Sequence, residues 1–78
     1  MTTSNQKTKR ERFVSVASRR VQRILDSIDS LSNCSNRNNY DYSEEDVNKM
    51  IKAIKEKVKY LEMSFNQEVT KSKHNFKF

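Results

Sequence analysis

A chain of 78 residues with net charge +6, and with apolar and charged fractions both at 33 %, holds one small domain at most, with a thin core. Its single cysteine, Cys34, excludes an intramolecular disulfide, and no stretch reaches the roughly 18 consecutive apolar residues of a membrane span. With no glycine and no proline, phosphate-cradling glycine loops are excluded and a multi-stranded sheet lacks its tight turns.

Residues 1–8 are polar and basic and are expected to form a disordered arm. The following FVSVASRRV is broken by Arg19 and Arg20. It therefore fits neither a signal-peptide core nor a twin-arginine export signal. A lone free thiol suits a reducing compartment, and the expected location is the cytoplasm.

Helix one is predicted over residues 9–32. Val14, Ala17, Val21, Ile24, Ile28 and Leu31 recur at steps of three and four, a heptad seam that Phe13 and Leu25 widen. The turn is predicted over 33–42, NCSNRNNYDY. Asn33 stands where a left-handed helix cap is expected, and Asn36, Asn38 and Asn39 suit turn positions for the same reason. Tyr40 and Tyr42 are expected to fold over the open end of the seam, rings buried and hydroxyls wet.

Helix two is predicted over 43–65. Ser43 and Asp46 form a capping-box variant, and Glu44 and Glu45 suit the positive end of the helix dipole. Val47, Ile51, Ile54, Val58, Leu61 and Phe65 make the second seam, with Met50 beside it. Residues 66–78 read as a tail that either extends helix two or frays, since Glu68, Ser72 and Lys73 dilute the stripe.

One reversal and two amphipathic segments predict an all-α fold, an antiparallel two-helix hairpin. One hairpin covers each seam on one side only. A homodimer forming a four-helix bundle is therefore expected, with a short third helix from the tail as the monomeric alternative.

Charge is blocked along the chain. Residues 1–25 carry +6, residues 26–48 carry −5 and residues 49–78 carry +5. A hairpin would set the two basic blocks side by side and leave the acids at the tip. Arg12, Arg19 and Arg23, with Arg20 beside them, share a face away from the seam, and Lys52, Lys55 and Lys59 form a similar row. Such rows keep a helix solvated, or they bind phosphate, which a guanidinium grips with two bonds. No zinc spacing, glycine-containing helix-turn-helix or aromatic RNA-binding sheet is visible, so backbone contact is expected rather than base reading.

Catalysis is not expected. His74 is the lone histidine and stands far in sequence from Cys34, and the helix C-terminus beside Cys34 disfavours a thiolate. Asp41, Glu44, Glu45 and Asp46 lack the alternating ligands and central glycine of a calcium loop. Neither a metal nor a cofactor is expected, nor a membrane partner, since the cationic faces carry no tryptophan.

The runs RERFVSVASRR, ILDSIDSLSNCSN and YDYSEEDVNKMIKAI together resemble a group of small helical proteins. These are encoded on plasmids and on conjugative or integrative elements of Gram-positive bacteria. The resemblance covers residues 9–65 and is most specific at Asn33–Asn36 and Tyr40–Val47. Leu31-Ser32 stands where the group has Leu-Gly, so the cap there departs from the group's pattern. The resemblance implies a setting in horizontal gene transfer and carries no mechanism over.

The expected function is a non-enzymatic accessory or regulatory protein that contacts nucleic acid through Arg12, Arg19, Arg20 and Arg23, with Lys52, Lys55 and Lys59 second. The alternative is a protein-binding module, an inhibitor or adaptor, that uses Tyr40 and Tyr42 at the tip together with the basic face.

Overall fold

The computed structural model describes residues 8–74; residues 1–7 of the expected arm at 1–8 and the final residues 75–78 lie outside the described residues, and Thr8, expected to be disordered, is the N-cap of α1. The protein is all-α. Helix α1 spans Lys9–Ser32, a 3₁₀ turn spans Asn33–Ser35, and helix α2 spans Glu44–His74. The chain divides between Asp41 and Tyr42 into two units.

In the first unit, α1 opens on a reciprocal cap at Thr8. Its Oγ1 accepts from the Glu11 N–H at 3.0 Å, and its own N–H donates to Glu11 Oε1 at 3.0 Å. Two of the amide donors that a helix start leaves unpaired are satisfied in this way. The 24 residues that follow make a helix about 36 Å long. They contain no glycine or proline to interrupt it.

The end of α1 differs from the expected left-handed cap. Asn33 has φ −65° and ψ −19°, right-handed values, and no described residue has positive φ. Instead the helix tightens into the 3₁₀ turn, and the Asn33 N–H reaches the Asp29, Ser30 and Leu31 carbonyls. Shorter-range bonds of this kind satisfy the last carbonyls without any described residue entering the left-handed region. Ser32 Oγ adds a bond to the Ile28 carbonyl at 3.0 Å.

The turn that follows is built by Asn36. Its Oδ1 accepts from the Asn38 N–H at 2.9 Å, and its carbonyl accepts from Asn39 N–H at 3.1 Å and Tyr40 N–H at 3.0 Å. An asparagine side chain copying a backbone turn replaces the conformational freedom of glycine.

In the second unit, Ser43 and Asp46 cap α2 reciprocally, and Glu44, Glu45 and Asp46 fill its first turn, where the dipole favours acids. The helix runs 31 residues, about 46 Å, well past residue 65. Val69 prolongs the seam one turn beyond Phe65, and Glu68 pairs with Lys71 at 3.4 Å. With no helix-breaking residue in this stretch, weak local pairs suffice to carry the helix on.

Neither helix buries a side chain among the described residues. Ile24 on α1 and Val58 on α2 are each 50 % exposed, whereas Leu31, Val47 and Ile54 are half-buried. No helix among the described residues is long and apolar enough to cross a membrane.

Candidate nucleic-acid interface

On α1, Arg12, Arg19 and Arg23 fall within about 40° of one another at 100° per residue, on the side turned away from Val14, Val21 and Ile28. All three are exposed, as is Arg20 beside them. Val16 lies amid this cationic face and is nonetheless half-buried. Its neighbours at helical spacing are Arg12, Arg19 and Arg20, whose aliphatic stems are long enough to shelter it.

Two acids lie beside this face, and neither is ion-paired with its arginines. Glu11 is held by the Thr8 cap. Asp26, three positions after Arg23, accepts from Gln22 Nε2 at 2.9 Å. None of Arg12, Arg19, Arg20 and Arg23 makes an ion pair with another described residue. Arg10 belongs to a different arrangement, since its guanidinium lies 6.0 Å from the centre of the Phe13 ring.

On α2, Lys52, Lys55 and Lys59 line one shallow surface groove together with Asn48, Ile51 and Glu56. All three lysines are exposed and none is ion-paired with a described residue. Glu56 in the same groove lowers its net charge, so the lysine row is the weaker of the two cationic faces.

The two tyrosines singled out at the turn are placed differently from each other. Tyr42 is half-buried in the second unit. Tyr40 belongs to the first unit, is 51 % exposed, and is fixed through its backbone to Asn36. The expected burial of the Tyr40 ring is therefore corrected: the Asn36 turn holds its backbone and leaves the ring half in solvent. Cys34 is an exposed free thiol in the 3₁₀ turn. Among the described residues no three of His, Cys, Asp and Glu come together in a metal-binding group.

One residue escapes the periodic reading. Tyr60 on α2 is 67 % exposed and lies off the seam, with Lys57 Nζ 5.7 Å from its ring centre. Its signal in the sequence is an aromatic residue that fits no position of the seam's three-four alternation.

No protein-family model, curated protein or solved structure matches this chain.

Proposed function

We propose that this is a small non-enzymatic accessory or regulatory protein of a mobile genetic element, binding the phosphate backbone of nucleic acid in the cytoplasm. The mobile-element setting rests on the resemblance at Asn33–Asn36 and Tyr40–Val47. The binding rests on one observation: the arginine face of α1 is exposed while its nearest acids, Glu11 and Asp26, are hydrogen-bonded to Thr8 and Gln22. Open guanidiniums form bidentate, charge-assisted bonds to phosphate at little cost in broken internal pairs.

In this reading the helices fold as an antiparallel hairpin, and two copies close a four-helix bundle over the exposed seams. The arginine face points outward from the bundle because it lies opposite the seam. The lysine row flanks the seam near Ile51 and adds a second, weaker line of contact.

A gel-shift with duplex and single-stranded DNA across a salt series tests this. Contact with four phosphates gives a slope of log affinity on log salt of about −3.6 on duplex, at about −0.9 per phosphate. The Arg19→Ala, Arg20→Ala, Arg23→Ala triple variant binds more weakly and with a flatter slope. Absence of binding at low salt, or binding indifferent to salt, overturns the reading.

The half-exposed ring of Tyr40 favours a second reading, a protein-binding module anchored at the turn. A pull-down that survives nuclease treatment and is lost in Tyr40→Ala supports that reading over the first.

A further inference from the structure

Tyr60 is the most exposed large apolar side chain among the described residues. It stands nine positions after Ile51, which at about 100° per residue places it across α2 from the seam. Packing of the seam against any other helix therefore leaves its ring in solvent. Its neighbours at helical spacing are Glu56, Lys57, Met63 and Ser64, and they leave it exposed; Ser64 turns its hydroxyl back to the Tyr60 carbonyl at 3.0 Å. The one cation held near the ring is Lys57, at 5.7 Å. An exposed aromatic ring with Lys57 over one face, on a helix that also carries Lys52, Lys55 and Lys59, has the two elements that single-stranded nucleic acid requires. Those elements are a surface for an unstacked base and cations for the phosphates on either side of it.

We infer that Tyr60 is a base-stacking platform that gives the protein a preference for single-stranded over duplex nucleic acid. The inference deepens the proposed function and rests on it. Bases within a duplex are stacked on each other and offer the ring no free face, whereas phosphates are presented by both forms. Stacking also displaces no counterions, so it raises affinity without steepening the salt dependence.

The test uses the full chain with oligo-dT, oligo-U and a mixed-sequence duplex, comparing wild type, Tyr60→Phe and Tyr60→Ala. Tyr60→Ala is expected to lose about tenfold in affinity for oligo-dT or oligo-U. Duplex affinity and the single-strand salt slope stay unchanged, and Tyr60→Phe binds as wild type. The chain has no tryptophan and three tyrosines, so intrinsic fluorescence reads the ring directly. In a Tyr40→Phe, Tyr42→Phe background, the remaining signal is quenched on binding oligo-dT or oligo-U. Equal losses on single strand and duplex, or no loss on either single strand, overturn the inference while leaving phosphate binding in place. A wild-type chain that binds none of the three removes the proposed function and this inference with it.

Discussion

Ser43 and Asp46 hold each other across the first turn of α2: the Ser43 N–H donates to Asp46 Oδ2 at 2.8 Å, and the Asp46 N–H donates to Ser43 Oγ at 3.1 Å. The backbone donor and then the hydroxyl of Ser43 hold the Asp46 carboxyl below its ordinary range. A carboxylate whose folded value is depressed contributes stability above its unfolded value and loses it as pH falls through the folded one. The start of α2 is therefore expected to be insensitive to pH from neutrality down to the ordinary aspartate range, and to fray below it. Amide chemical shifts of Asp46 and Val47 across an acid titration check this. Asp46→Asn, which keeps an acceptor oxygen and cannot ionise, flattens the response at that turn.

The corresponding cap of α1 gives a magnitude. Thr8→Ala removes the acceptor of the Glu11 N–H and is expected to destabilise the helix by about 1 kcal/mol. Glu11→Gln keeps the reciprocal bond to the Thr8 N–H and is expected to change much less. Amide exchange at Glu11 and Arg12, whose N–H donates to the Thr8 carbonyl at 2.9 Å, separates the two variants. Equal protection in both would show that the cap does not hold this end.

These caps also show what the sequence makes legible. Two helices, their starts and the apolar stripes follow from periodicity and from Ser43 and Asp46, because each signal lies within one or two turns of chain. The Thr8-x-x-Glu11 box was equally readable, being the same pattern at the other helix. The local geometry after Ser32 was not. Asparagine tolerates both a left-handed cap and a side-chain turn, and composition does not choose between them. Tyr60 escaped because periodicity finds the stripe a helix can bury, and this ring lies off that stripe.

That choice at the turn has an outcome of opposite sign for glycine. At a left-handed position Asn33→Gly would stabilise the cap, but here φ is −65°, and glycine adds only unfolded-state freedom. Asn33→Gly is therefore expected to lower the melting temperature. Asn36→Ala removes the acceptor of the Asn38 N–H and is also destabilising, whereas Asn36→Asp retains it. A rise in melting temperature for Asn33→Gly would point to a left-handed cap in solution.

The exposed seams set the last expectation. Most helical stability in proteins comes from packing of the amphipathic helix's apolar face rather than from propensity. Ile24, at 50 % exposure within its own chain, would tolerate a charge nearly freely if the seam stayed in solvent, since such surface changes are usually within about 0.5 kcal/mol. If two copies close over the seam, Ile24→Asp places an unpaired carboxylate in the interface, and the loss rises to several kcal/mol. A self-associating chain also melts at higher temperature as concentration rises, by mass action. Thermal melts of wild type over a wide concentration range, with sedimentation of Ile24→Asp alongside, separate the cases. Concentration-dependent melting lost in the variant supports the bundle, and a cooperative melt independent of concentration, with a monomeric mass, rules it out.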